Sequence, residues 1–270
     1  MDYIMHNNHT AISTEEPASS EKVRNWLELP YDVLSLIFLK LGVIHILFRA
    51  QSVCSLWRNF SKEPLLFRSI DMRHMRKILD ILDRNMYNME KMAREAVDRS
   101  CGQFVEFSMA GITPELLAYI AENSGELRCL RIVSSNQVNS DALVNVAKKA
   151  VMLEELEISD CSFSGDKLDM LKTVGNACPQ LKSFRLNWSP QIAYDDEAVA
   201  IAENKPELRH LQLFGNRLTN VGLRAILDGC RHLESLDLRQ CLFVKLRMDL
   251  LKIFRDRHIK FKLSLVSLED

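Results

Sequence analysis

Glycine is scarce in this chain of 270 residues, nine in all, and no two or three of them cluster. That excludes a glycine-rich loop cradling phosphates. No G-x-S-x-G elbow and no H-E-x-x-H pair occurs, so two common hydrolase signatures are absent. The seven cysteines are odd in number and include no C-x-x-C pair. Neither a disulfide framework nor a zinc ribbon is expected, and free thiols suit the reducing cytoplasm or nucleus. Charge of one sign is not in excess: 35 Lys and Arg face 36 Asp and Glu, for a net charge of −1. This argues against broad binding to nucleic acid or to a membrane surface. No apolar run is expected to approach the length of a membrane span. Residues 1–20 are polar and lack the apolar core of a signal peptide. His6 and His9 sit in that stretch without a third ligand, so no metal and no cofactor is expected.

What the chain does have is a phrase, L-x-x-[LF]-x-[LI], that recurs five times. It reads Leu127-x-x-Leu130-x-Ile132, Leu153-x-x-Leu156-x-Ile158, Leu181-x-x-Phe184-x-Leu186, Leu208-x-x-Leu211-x-Leu213 and Leu233-x-x-Leu236-x-Leu238. The starts lie 26, 28, 27 and 25 residues apart. A fixed period in this range with this phrase marks leucine-rich repeats. The fold class is therefore α/β: a short solenoid with parallel strands on the concave face and helices on the convex face. Looser phrases, Phe67-x-x-Ile70-x-Met72 and Phe104-x-x-Phe107-x-Met109, extend it upstream, with one long helix expected over residues 75–99. His258-x-x-Phe261-x-Leu263 closes the stack as a charged cap. The domain reading is a disordered tail at 1–24, a helical module at 25–66, repeats at 67–266 and a short tail at 267–270.

Each repeat continues from strand through a turn into a helix. Thr113, Ser140 and Thr219 are the expected N-caps. Cys101, Cys178 and Cys230 each precede a phrase by three residues, and Cys161 and Cys241 follow a phrase start by eight, where Asn216 stands in another repeat. Spacing by whole repeats suits small buried groups bonded to the turn backbone, not metal ligands.

The register of the phrase predicts a binding surface. Positions four and six point into the core, so three, five and seven face the concave side. Position five reads Arg131, Glu157, Arg185, Gln212, Asp237. Arg131, Glu157 and Arg185 are expected to form a ladder of ion pairs on strands about 4.8 Å apart. Trp188 and Phe214, with His210 and Arg239, make a candidate hot-spot patch on the later repeats. A second reading of Trp188 stands beside this one, in which it packs locally within the loop at 187–196. The candidate substrate-binding residues are thus Arg131, Glu157, Arg185, Trp188, His210, Phe214 and Arg239.

Residues 26–70 are dense in apolar side chains with helical spacing. Pro30 suits a helix's first turn. Val33, Leu34, Ile37, Phe38 and Leu41 follow on one stripe, and Gly42 is the expected C-terminal cap. Ile44, Leu47, Phe48, Val53, Leu56 and Trp57 fill a second helical stretch, and Pro64 ends it. So small a module cannot hide this many large side chains, and an exposed apolar patch marks a partner site.

These residues resemble a known family. Leu29-Pro30, Val33-Leu34-x-x-Ile37-Phe38-x-x-Leu41 and Val53-Cys54-x-x-Trp57-Arg58 look like an F-box of three helices. An F-box followed by cysteine-containing leucine-rich repeats resembles the F-box/LRR proteins, and Leu208 to Asn216 and Leu233 to Cys241 look like a plant subgroup. The resemblance implies a substrate receptor of a Skp–cullin–F-box ubiquitin ligase: the F-box docks a Skp-type adaptor and through it a cullin, and the repeats hold the protein to be ubiquitinated. Family docking positions fall on Leu29, Pro30, Val33, Leu34, Ile37, Leu41, Val53, Cys54 and Trp57. Some of these pack only inside the module, and sequence does not separate the two roles. Phe67-Arg68 stands where many F-boxes carry Trp-Arg. No linker rich in Gly or Ser follows, so the module is expected to be fixed to the repeats.

The chain is not expected to be an enzyme. Asp195-Asp196 lies beside a helix start and reads as a cap. Cys54 has apolar surroundings, which work against thiolate chemistry. The alternative to the receptor is a leucine-rich-repeat scaffold or inhibitor uncoupled from ubiquitination.

Overall fold

The computed structural model describes residues 29–74, 89–136, 138–187 and 195–263. Its strands are β1 (Ser69–Met72), β2 (Glu106–Ala110), β3 (Cys129–Val133), β4 (Val138–Asn139), β5 (Glu155–Ser159), β6 (Phe163–Ser164), β7 (Ser183–Asn187), β8 (His210–Gln212), β9 (Ser235–Leu238) and β10 (Lys260–Leu263). Eight of them form one parallel sheet in the order β1-β2-β3-β5-β7-β8-β9-β10, and β4 pairs with β6 beside it. The strands thus stack in chain order, as repeats that contact only their neighbours must.

The leucine phrase dictates this sheet. Position four forms one buried row, with Ile70 beside Phe107, Leu130, Leu156, Phe184, Leu211 and Leu236 in register. Position six forms a second, through Met72, Met109, Ile132, Ile158, Leu186, Leu213 and Leu238, all buried. Each such side chain stabilises the stack by about 1.5–3 kcal/mol through loss of apolar surface to water.

Helices return the chain from one strand to the next: α1 (Tyr31–Phe48) and α2 (Ser55–Phe60) in the N-terminal module, then α3 (Met89–Arg99), α4 (Pro114–Glu122), α5 (Ser140–Lys149), α6 (Lys167–Ala177), α7 (Asp196–Asn204), α8 (Asn220–Gly229) and α9 (Met248–Asp256). Consecutive repeat helices pack closely. A Cβ on Gly175 of α6 would lie 2.6 Å from the Asn204 carbonyl oxygen at the end of α7, so only glycine permits that approach. Of the long helix expected over 75–99, only α3 falls within the described residues.

The expected caps hold at two sites and move at the third. Thr113 Oγ1 accepts from Leu116 N at 3.2 Å, and Thr219 Oγ1 accepts from Val221 N at 3.1 Å. In the repeat between, Asn139 Oδ1 accepts from Asp141 N at 2.7 Å. Ser140 is one residue into the helix, and its hydroxyl donates to the Ser164 carbonyl of the next repeat at 3.0 Å. Asp195 also differs from expectation. It makes no side-chain bond to its own helix. Its carboxylate instead accepts from Thr219 N, Thr219 Oγ1 and Gly222 N at 2.7, 2.7 and 2.9 Å, capping α8 of the following repeat.

All seven cysteines are free. The Cys161 and Cys241 thiols donate to the Ser159 and Leu213 carbonyls at 3.2 and 2.8 Å, and Cys178 and Cys230 reach the Ala147 and Lys205 carbonyls of the preceding repeat. Cys101 departs from the pattern: it is exposed, at φ 50°. Burial pushes the Cys178 and Cys230 thiols up to about 11. In the repeat between them, the equivalent position holds Lys205, buried at 3% exposure. Its ammonium donates to the Leu171 carbonyl at 2.8 Å and lies 5.1 Å from the Phe184 ring. Burial lowers its pKa to about 8.

One expectation fails outright. The α1 segment is apolar and long enough, at 18 residues and mean hydropathy 1.9, to cross a membrane by length and composition alone. Gly42, however, sits at φ 74° and ψ 164° and breaks it into two helical segments. The break satisfies Gly42's expected role as a cap, since the left-handed region costs glycine little. Leu34, Phe38, Val43, Ile44, Ile46 and Leu47 are then buried in the module and against the first repeat.

The module joins the solenoid without a linker. A short helical turn, Pro64–Phe67, runs directly into β1, with Phe67 fully buried. Arg99, at the end of α3, donates to the Ser61 carbonyl at 3.0 Å and to Gln51 Oε1 at 2.9 Å, with its guanidinium 5.7 Å from the Phe67 ring. The first repeat therefore grips the module through an arginine and a shared apolar core.

Candidate functional site

Two surfaces stand out. The first is the outer face of the N-terminal module. Along α1, residues at spacings of three and four divide into two faces. Leu34 and Phe38 point inward, with Ile37 and Leu41 half-buried against them. Phe38 makes edge contacts to the Trp57 and Phe60 rings at 5.1 and 4.9 Å. Outward lie Val33, Leu36 at 60% exposure and Leu39 at 54%, and elsewhere on the module Val53, at 62%, and Leu56 are exposed as well. Pro30 is exposed, and Leu29 half-buried.

This sorts the nine candidate adaptor-binding residues. Pro30, Val33 and Val53 are on the surface. Leu29, Ile37, Leu41, Cys54 and Trp57 are half-buried. Leu34, at 2% exposure, lies in the module's core. The helical stripe carries no mark of which edge faces out, so the family pattern alone puts Leu34 on the docking face. The same ambiguity leaves out Leu36 and Leu39, although they follow Val33 at steps of three. Cys54 serves the module's own structure, since its sulfur accepts from Trp57 N at 3.4 Å and caps α2.

The second surface is the concave face of the sheet. The expected ladder is present. Glu157 lies 3.9 Å from Arg131 and 3.1 Å from Arg185, and Arg131 also pairs with Glu155 at 3.0 Å. Burial, with the Glu155 carboxylate alongside, pushes the Cys129 thiol up to about 12, although Arg131 pulls the other way. Farther along, Arg239 grips Asp237 through a paired contact at 2.9 and 2.8 Å. Burial opposes the Asp237 charge, but these bonds outweigh it and hold the carboxyl below its ordinary pKa.

Over β7–β10 the face sinks into a groove of about 480 Å³. Ser183, Arg185, His210, Gln212, Ser235, Asp237, Lys260 and Lys262 are among its lining residues. His210 Nδ1 and Ser235 Oγ are hydrogen-bonded at 2.9 Å. Of the candidate substrate residues, Arg185 and His210 line this groove. Phe214 and Arg239 come together past the strand ends, the guanidinium 5.8 Å from the ring. They stand beside the groove and not in it. Arg131 and Glu157 lie on earlier strands. Trp188 lies outside the described residues. Lys260 and Lys262 are not among the sequence candidates, yet the register names them: they occupy positions three and five of the last phrase, opposite Ser235 and Asp237. Among the described residues, no group of three or more His, Cys, Asp or Glu is placed to hold a metal ion.

Comparison with known proteins agrees with both halves. The F-box-like family matches residues 26–73, and the Leucine Rich repeat family matches residues 205–227. The chain is similar to F-box protein SKIP19 of Arabidopsis thaliana, with 46% identity over 90% of this chain and 78% of that protein. Putative F-box/LRR-repeat protein 22 of the same plant is 46% identical over 85% of this chain and 74% of its own length. Putative F-box/LRR-repeat protein 23 is 45% identical over 86% of this chain, which spans 51% of it. With an F-box-like module carried on a leucine-rich-repeat sheet, and relatives of this closeness along most of its length, the chain belongs to the F-box/LRR-repeat proteins.

Proposed function

We propose that this chain is the substrate-receptor subunit of a Skp–cullin–F-box ubiquitin ligase. The outer face of the module docks a Skp-type adaptor, and the concave sheet holds the protein to be ubiquitinated. The observation that carries the reading is the set of exposed apolar side chains, Val33, Leu36, Leu39, Val53 and Leu56, on a module fixed to a binding sheet. Exposed apolar side chains of this kind fit burial against a partner helix. The chain itself is non-catalytic, and ubiquitin transfer belongs to its partners. The free thiols favour work in the cytoplasm or nucleus.

Co-purification with a recombinant Skp-type adaptor tests this. The wild-type chain binds. Leu36→Asp combined with Leu39→Asp lowers the affinity by about 100-fold or more, since two apolar anchors become charges in a desolvated interface. The paired change of Leu29→Ala and Pro30→Ala has a smaller effect in the same direction. Full affinity in the double aspartate variant removes the docking role from α1. If the wild type binds no such adaptor, the receptor reading falls and the chain is a repeat scaffold.

A further inference from the structure

Charge on the concave sheet is unevenly compensated. In the first strands, acidic side chains meet basic ones: Asp71 pairs with Arg73, and Glu106, Glu155 and Glu157 surround Arg131 at 4.0, 3.0 and 3.9 Å. Within the groove over β7–β10, Arg185 is matched by Glu157, Glu155 by Arg131, and Asp237 by Arg239. Lys260 and Lys262 make no ion pair among the described residues. Lys262 lies near enough to Asp237 to help hold it ionised, but Arg239 already occupies that carboxylate. His210, Ser183, Ser235 and Gln212 add neutral polar groups to the same walls.

Geometry narrows the partner further. Lys260 and Lys262 are two residues apart on one strand, so their side chains stand on the same face about 7 Å apart. An extended peptide segment laid along β10 presents alternate side chains at that same spacing. The groove is a sheet face with polar walls, and among the described residues the aromatic rings that line it, Phe184 and Phe261, both stand at position four and not on the concave rows; Phe184 is fully buried, and Phe261, 38% exposed, packs against Phe254 at 4.5 Å. A protein segment fits such a surface better than a nucleic acid, which favours clustered basic and aromatic groups.

We propose that the groove over β7–β10 binds an extended acidic segment of the substrate protein, with carboxylates two residues apart meeting Lys260 and Lys262. The identity of the occupant as a substrate rests on the receptor reading; the chemistry of the groove does not.

The test uses the full chain and three fluorescein-labelled decapeptides, alternating Glu-Ser, Lys-Ser and Gly-Ser, with a single-stranded oligothymidine of equal charge as a competitor. The Glu-Ser peptide binds most tightly and weakens as salt rises, as exposed charge pairing requires. Lys260→Glu with Lys262→Glu lowers its affinity by about tenfold or more, because each attraction becomes a repulsion. Both sites lie on the exposed edge strand, and an unchanged melting temperature shows that the variant folds. Adaptor co-purification by the same variant stays at the wild-type level. Equal binding of the Glu-Ser peptide to both chains overturns the proposal, as does preference for the Lys-Ser peptide or no binding of any peptide at millimolar concentration. Tighter binding of oligothymidine than of the Glu-Ser peptide overturns it in favour of a nucleic-acid face. Acidic-peptide binding without adaptor binding would leave the groove standing and remove the receptor.

Discussion

The two exposed faces are built on opposite terms. The module shows water leucine and valine side chains, while the sheet shows it a net of carboxylates, guanidinium groups and hydroxyls. Apolar surface gains from burial wherever it fits, so shape does most of the selection. A charged surface gains only from a partner that returns the right sign at the right spacing, and penalises others. The first construction suits one partner met by every member of a class. The second suits a partner that must be told apart from its neighbours.

Four substitutions probe how far that contrast extends into the interior. The largest effect is expected at Phe38, which is fully buried one helical position away from the exposed surface. Phe38→Ala lowers stability by about 3–5 kcal/mol. Leu36→Ala, on the outer face of the same helix, changes it by less than about 0.5 kcal/mol. Urea unfolding followed by circular dichroism distinguishes them; equal losses at the two sites would mean that the helix is not oriented as described.

The next effect is at Lys205, where a charge intrudes on the apolar solenoid. Its pKa is lowered by burial from 10.5 to about 8. Between these two pH values the unfolded chain binds more protons at this site than the folded one, so the lysine's contribution makes stability rise with pH. The swing is on the order of 3 kcal/mol over the full window. Cys178 and Cys230 act in the opposite sense, since their raised folded values, about 11, make stability fall as pH climbs above 9. The comparison between wild type and Lys205→Met isolates the lysine. Lys205→Met is more stable at pH 7, and its advantage shrinks from about pH 8 upward. Parallel stability curves for the two proteins would show that the ammonium is not buried.

The smallest effect is at the ladder. Glu157→Ala removes partners from Arg131 and Arg185 on a solvated face, and costs about 1 kcal/mol or less. A thermal shift of more than several degrees would mean that the concave net holds the sheet together and is not free to serve a partner.

The solenoid is legible in the sequence because its signal is periodic. Apolar residues at positions four and six recur with each strand, and they fill continuous buried rows. What stays hidden depends on contacts between repeats. Asp195 caps a helix that starts in the next repeat, and Ser140 bonds to a carbonyl 24 residues away. Those partnerships leave no local trace. The inward place of Leu34 and the outward place of Leu36 on α1 become distinct only when the rest of the module supplies the wall, where Trp57 and Phe60 pack against Phe38 on the inward side. Lys260 and Lys262 are different: the phrase itself assigns their positions, but a run of charge at the end of a stack reads as a solubilising cap.

The continuous sheet has a metric consequence. Because β1 emerges directly from the module and joins the same ladder as β10, separation along the molecule is counted in strands. Each step is about 4.8 Å, so β7 lies about four steps, or roughly 19 Å, from β1. Inserting or deleting one whole repeat between β2 and β7 would move a bound cargo by a single step without changing either face. In such a chain, reach is set by the number of repeats.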